Sequence, residues 1–366
     1  MSASAAVTPV QAARAAARRD RWRAPTLYLR VAVVAAWALL PALGPSFQLL
    51  DLAVRIALFA TLAASYDVVI GYTGIVSFGH AMFFGFGAYA VAVAVGRLGA
   101  PTYGHLLLGF LAGVAVSAVV AVVVGAFSLR VKALFFAMIT LAFAEFALIL
   151  AVQWGALTGG EDGLSPKLPG VFAAGAEGVL GLSGRLVTYY VLLAMCLVLF
   201  LLMSRFVHSP LGRTLQAIRD NELRAEALGY RTFVFQLVAS SFGSVVATVL
   251  GGGYVLWVRY VNPESALGVP IMLDVLLMVI IGGIGTLYGG VVGAAILLTA
   301  RTLLPNLRGL GGSLVAGSEI LQRLSERWLL YFGILFVLVV FFFPRGVLGT
   351  LREVAARRRG PATPTT

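Results

Sequence analysis

The sequence predicts an all-α polytopic membrane protein of about ten transmembrane or partly re-entrant helices, on three observations. First, 60% of the 366 residues are hydrophobic and 11% are charged. Soluble domains run at about 45–50% apolar and about 25% charged, so this chain has too little polar surface to coat a water-soluble globule. Second, predominantly apolar stretches near the length of a bilayer-spanning helix, about 20 residues, recur along the chain. Third, arginines collect where alternate spans end, as the positive-inside rule requires of cytoplasmic loops.

The spans follow in order. Apolar runs cover Leu29–Leu50, Leu52–Ile70, Ser77–Val95, His105–Phe127 and Ala133–Gln153. After a Gly-rich interval come Val187–Met203, Phe233–Tyr260, Val269–Leu304 and Trp328–Phe343. Arg14, Arg18, Arg19, Arg21 and Arg23 place a basic segment, 1–28, in the cytoplasm, and Leu29 onward reads as a retained signal anchor. Arg130 and Lys132 mark a cytoplasmic loop, Arg205, Arg213, Arg219, Arg224 and Arg231 another, 204–231, and Arg345, Arg352 and Arg357 to Arg359 place the tail 347–366 on that same side. The 154–186 segment, with Glu161, Asp162 and Glu177 balancing Lys167 and Arg185, suits the outside. Six spans return the chain to the cytoplasm at Ser204, and four more are needed to return its basic end. The long run Val269–Leu304 is therefore expected to split near Gly282–Gly285, within a permease domain of residues 29–346. The stretch Gly71–Ala90 is expected to be re-entrant or broken.

Several function classes fall away. The net charge of +12 is carried mostly by arginines at the ends and in one loop. That pattern fits flanks drawn to anionic lipid, not a nucleic-acid surface. Cys196 is the single cysteine and sits in an apolar run, so neither an intramolecular disulfide nor a cysteine metal site can form. His80, His105 and His208 are far apart, with no ligand spacing, and no metal site is expected. No phosphate-binding Gly-x-x-x-x-Gly-Lys-Ser/Thr loop exists, and the only lysines are Lys132 and Lys167. The chain is expected to be no enzyme and to bind no cofactor.

Glycine interrupts two apolar regions, one in each half: Gly71–His80 and Gly282–Gly290. Paired interruptions point to discontinuous helices at a solute pathway, because a freed backbone is tolerated at membrane depth only where protein or a water-filled cavity satisfies it. Close helix packing is the competing explanation. Gly109, Gly113, Ser117, Ala121 and Gly125 recur every four residues, as do Gly285, Gly289 and Gly293, and such stripes let membrane helices approach. Arg55, Asp67, His80, Glu145 and Asp274 lie within apolar runs. A charge at mid-bilayer costs about 2.5–3.5 kcal/mol on insertion scales, so such residues face the bundle interior or find a partner. For Glu145 the choice is between an ion pair, with Arg55 as the candidate, and a place on the pathway. Asp67 and Asp274, near span ends, are expected to snorkel to the interface.

The most informative polar segment runs from Ser209 to Tyr230. Ser209 suits an N-cap, Pro210 the first helical position and Gly229 a left-handed stop. Leu211, Leu215, Ile218, Ala225 and Leu228 fall on one stripe. The acidic Asp220, Glu222 and Glu226 argue against a helix laid on anionic lipid and for one seated in a protein groove.

At this loop the sequence resembles the LivM-type permease subunit of branched-chain amino acid ABC importers. The residues carrying the resemblance are Ala217-Ile218-Arg219-Asp220-Asn221-Glu222 with Ala225-Glu226-Ala227-Leu228-Gly229, similar to that family's cytoplasmic coupling loop. Gly71-Tyr72-Thr73-Gly74, Ser77-Phe78-Gly79-His80 and Gly85-Phe86-Gly87-Ala88-Tyr89 resemble its first Gly-rich signature. Phe135–Phe143, Gly159–Leu164, Ile281–Gly289 and Phe343–Gly346 resemble later ones, in order along the chain.

The resemblance implies a permease subunit in a bacterial inner membrane, with both termini cytoplasmic and a coupling helix gripped by a separate motor. Its implied partners are a second, LivH-like permease, two ATP-binding subunits that hold ATP-Mg, an external solute-binding protein and membrane lipid. Its implied solutes are branched-chain or other small hydrophobic amino acids. Urea, amides or another small solute carried by the same family is the alternative, and a motor-independent secondary transporter a further one. On this reading Arg219, Asp220, Asn221, Glu226, Ala227 and Gly229 couple to the ATPase. Gly71, Gly74, Ser77, His80, Thr140, Glu145, Gly282 and Gly285 are the pathway candidates. Gly109, Gly113, Gly289 and Gly293 serve helix packing.

Overall fold

The computed structural model describes residues 33–44, 46–131, 133–173, 183–314, 333–334, 336–338, 341–343 and 346–350. The basic segment 1–28, the tail from 351, Lys132, Glu177, Arg345 and half of the expected span Trp328–Phe343 lie outside the described residues. The chain divides into two compact units, Met1–Ala53 and Val54–Thr366. In the first, a short apolar helix, Val33–Leu43, ends at Gly44, whose φ of 62° halts it, and the Trp37 indole N–H donates to the Ala53 carbonyl at 3.2 Å. The first expected span, Leu29–Leu50, is thus cut at Gly44, and a new helix begins at Phe47.

The principal helices are α1 (Phe47–Thr73), α2 (His80–Arg97), α3 (Tyr103–Ser128), α4 (Ala133–Gln153) and α5 (Gly184–His208). They continue as α6 (Pro210–Asp220), α7 (Glu222–Ala227), α8 (Thr232–Val258), α9 (Pro263–Leu267), α10 (Val269–Gly282) and α11 (Leu287–Leu314). Among the described residues, seven stretches are long and apolar enough to cross a membrane, with Val33–Leu43 and Leu287–Leu303 as shorter apolar helices. The fold is an all-α polytopic membrane protein. The run Val269–Leu304 splits as the parity of charged loops demands: α10 ends at Gly282 and α11 starts at Leu287. Gly71–Ala90 is a break, not a re-entrant hairpin. Only residues 74–79 leave the helix, and α2 then runs unbroken from His80.

Burial is distributed as a membrane bundle requires. Helices α1 and α2 are buried along most of their lengths, whereas α3, α4 and α5 bury only a minority of theirs. On α3 the stripe Gly109, Gly113, Ser117, Ala121 and Gly125 is the buried face, while Leu107, Leu111, Val119 and Phe127 on the other faces are exposed. Small residues inside and large ones outside invert the soluble pattern, because lipid solvates leucine as well as a protein core does. A methyl group on Gly109 would lie 2.8 Å from the Val91 Cα, so α3 and α2 touch backbone to backbone. The Ser117 hydroxyl adds a polar tie, accepting from the Thr248 Oγ1 of α8 at 2.6 Å.

The second unit gathers its loops at two ends. One end holds the 154–173 segment: Leu164 and Val261 form a two-bond antiparallel bridge, N–H to O at 2.7 and 2.9 Å. There the Tyr260 hydroxyl donates to the Asp162 carbonyl at 2.9 Å, and the Arg259 guanidinium to the Phe172 carbonyl at 2.8 Å. The other end holds both glycine breaks and the α6–α7 loop.

Candidate functional site at the paired helix breaks

Each break is made by glycine in a conformation other residues avoid. Gly74 ends α1 at φ 78°, and Gly285 sits between α10 and α11 at φ 82°, both left-handed. Broken helices leave backbone groups unpaired inside the protein, and here a side chain of α1 satisfies one of those at the second break. The Asp67 Oδ1 accepts the Gly285 N–H at 2.7 Å. Asp67 is fully buried, so it does not snorkel to an interface; its Oδ2 has no partner among the described residues. One turn on from Asp67, Gly71 lacks a side chain for a steric reason. A methyl there would run into the Asp67 carboxylate and stand 2.6 Å from the Gly285 nitrogen.

The polar loop reaches this junction. Arg219, in the last turn of α6, donates through Nη1 to the Gly71 carbonyl. Its Cγ lies 3.3 Å from where a methyl on Gly74 would stand, and its Nη1 lies 2.9 Å from the equivalent point on Gly285. One arginine of the loop therefore touches both breaks, which are more than 200 residues apart in sequence.

The other pathway candidates divide. Ser77 is buried, with its hydroxyl accepting the Gly79 N–H at 3.3 Å. Thr140 on α4 accepts the Phe78 N–H at 3.0 Å and donates to the Ala137 carbonyl at 2.9 Å, pinning the first break to α4. His80 is buried, its Nε2 2.8 Å from the Ser65 hydroxyl and its ring 5.4 Å from that of Tyr66. It is a core residue tied to α1. Gly282 packs against the Gly289 backbone and Gly293 against the Met278 carbonyl, folding α11 tightly onto α10. Glu145 is half-buried and bonds none of the described residues, so the ion pair with Arg55 does not form. Asp274 does pair, with Arg301 of α11, a residue that sequence reasoning passed over.

The loop is two helices and not one. Ser209 caps α6, its hydroxyl accepting the Gly212 N–H at 3.3 Å, and Leu215 and Ile218 bury its apolar face. Asn221 then adopts an extended backbone, φ −160°, and caps α7 by accepting the Arg224 N–H at 2.9 Å. Asn side chains favour this local bond over helix continuation, which explains the interruption. Gly229 closes the segment at φ 88°, the left-handed stop its sequence position predicts. Two of the acidic residues, though exposed, bond to α8: Glu222 accepts from Gln236 at 3.1 Å and Glu226 from Thr232 at 2.8 Å, clasping α7 to α8. Asp220 and Ala227 remain exposed, beside the exposed side chains of Leu223 and Leu228. The apolar stripe thus ends at Ala225, and Leu228 stands outside it.

Among the described residues, no three His, Cys, Asp or Glu side chains come together in a group able to hold a metal ion. What the site offers is mechanical: a surface loop tied by one guanidinium to two helix breaks.

The family described as branched-chain amino acid transport system / permease component matches residues 48–343. The high-affinity branched-chain amino acid transport system permease protein LivM of Salmonella typhimurium is 27% identical over 354 residues, covering 90% of this chain and 76% of the relative. The protein of the same name from Escherichia coli is 26% identical over 334 residues, covering 85% and 72%. A probable branched-chain amino acid transport permease protein LivM of Methanocaldococcus jannaschii is 24% identical over 322 residues, covering 80% and 90%. No solved structure matches the chain.

Proposed function

The chain belongs to the branched-chain amino acid transport permease family, and from that premise we propose that it is the membrane-spanning permease subunit of an ATP-driven importer of branched-chain amino acids. Its partners would be a second permease, two ATP-binding subunits and an external solute-binding protein. The α6–α7 loop then lies in the cytoplasm, where its arginines favour retention, and both chain ends share that side.

The observation that carries the reading is the Arg219 bond to the Gly71 carbonyl, made beside Gly285. A motor that closes on ATP and pulls α6 moves this guanidinium, and with it the ends of α1, α10 and α11. ATP shifts the bundle from inward-facing to outward-facing because it binds the two states with different affinity. The binding protein then delivers the solute to the outward-facing bundle. Asp220, Leu223 and Leu228, exposed on the loop, are the surface offered to the motor.

The test is reconstitution of the chain with its partners in proteoliposomes, followed by leucine uptake with and without internal ATP. Uptake that depends on ATP and on the binding protein supports the proposal; uptake driven by an ion gradient without ATP overturns it.

A further inference from the structure

The in-span carboxylates of the described residues are almost all committed within the chain. Asp67 accepts from Gly285, Asp274 pairs with Arg301, and Asp51 has a partner of its own. Glu145 differs. It stands near the middle of α4 (Ala133–Gln153), half-buried, and makes no hydrogen bond or ion pair with any described residue. An ionisable group at that depth is costly to keep, so an unsatisfied one marks a place where a group from elsewhere is received. The residues on its helix face are aliphatic: Leu141 and Ala142 one turn before, Leu148 and Ile149 one turn after. Glu145 thus sets a single negative charge against an apolar bank. Thr140, five residues earlier on the same helix, holds the Phe78 N–H of the first break. A shift of that break is therefore carried into α4.

We propose that Glu145 is the membrane-embedded acceptor for the ammonium group of the transported amino acid, with Leu141, Leu148 and Ile149 beside it for the aliphatic side chain. The proposal rests on the importer reading and adds a residue to it. A branched-chain amino acid carries a cation and a compact apolar side chain on neighbouring carbons, and this patch offers the complement of both. Asp274 is engaged by Arg301, and Asp67, bonded through one oxygen, is wholly enclosed, whereas the partly exposed Glu145 can be reached from outside the chain.

The experiment uses the whole reconstituted complex, with wild type, Glu145→Gln and Glu145→Asp compared. Wild-type leucine uptake is measured first; if it is absent, the importer reading fails and Glu145 is not the cause. The expected result is that Glu145→Gln assembles with its partners on size exclusion, unfolds at the wild-type temperature and hydrolyses ATP. Its leucine uptake is expected to fall at least tenfold, and Glu145→Asp, which keeps the charge, to recover a substantial part. Three outcomes overturn the proposal. They are unchanged uptake in Glu145→Gln, equal loss in both variants, and failure of Glu145→Gln to assemble, which would assign the carboxylate to a partner subunit's side chain.

Discussion

Asp67 and Gly285 lie 218 residues apart and are joined by one hydrogen bond, the Gly285 N–H donating to the Asp67 carboxylate at 2.7 Å. The bond ties the last third of α1 to the second helix break. It also places a buried carboxylate where a plain acceptor would serve, because the second oxygen is unpaired among the described residues.

Replacing Asp67 by Asn keeps an oxygen for Gly285 and removes a buried charge. Asp67→Asn is expected to be as stable as wild type, while Asp67→Leu leaves the Gly285 N–H unsatisfied at a cost of about 1–3 kcal/mol. Thermal unfolding of the purified subunit in detergent separates the two; equal losses would show that charge matters more than the acceptor.

Gly71→Ala tests the close approach. Its methyl would collide with the Asp67 carboxylate and crowd the Gly285 nitrogen. Overpacking of this kind costs about 1–3 kcal/mol. Gly104→Ala is the control, since its nearest neighbour is the Thr102 Oγ1 at 3.7 Å. In a helix that change gains up to about 1 kcal/mol. The unfolding temperature is expected to drop for the first variant and hold or rise for the second.

Arg219→Ala leaves the buried Gly71 carbonyl without its guanidinium donor and is expected to lower stability by about 1–3 kcal/mol. A further effect should fall on coupling, measured at a temperature where the variant is folded. In proteoliposomes the ratio of leucine transported to ATP hydrolysed is predicted to fall at least fivefold while hydrolysis persists. A ratio equal to wild type would remove Arg219 from the linkage.

The Asp274–Arg301 ion pair ties α10 to α11. Asp274→Asn and Arg301→Gln should each destabilise the protein, and the double variant should lose less than their sum. The difference, an interaction energy of about 0.5–3 kcal/mol, is read from a double-mutant cycle of unfolding free energies.

Much of the bundle was legible in the sequence because lipid imposes simple rules. Apolar length located α3, α4, α5 and α8 to within a few residues, and loop charge with parity required the split that Gly282–Gly285 makes. Spacing found the buried glycine face of α3, since a stripe every four residues is one face of a helix. Local capping residues were legible too: Ser209 and Gly229 stand where their chemistry placed them. Asn221 carried the same signal, but one apolar stripe from Leu211 to Leu228 concealed it. The stripe favoured a single helix, and the cap decided for two.

The sequence by itself determined what depends on neighbours along the chain: the membrane class, the spans, the glycine breaks, the caps and the family resemblance. Only the tertiary structure decided which distant groups meet. Asp67 found Gly285, Asp274 found Arg301, Glu222 and Glu226 bonded to Gln236 and Thr232, and Arg219 reached Gly71, while Glu145 was left open. Hydropathy counts a charge but carries no record of its partner. Pairing depends on which helices pack side by side and at what depth, and that is set by the whole bundle at once.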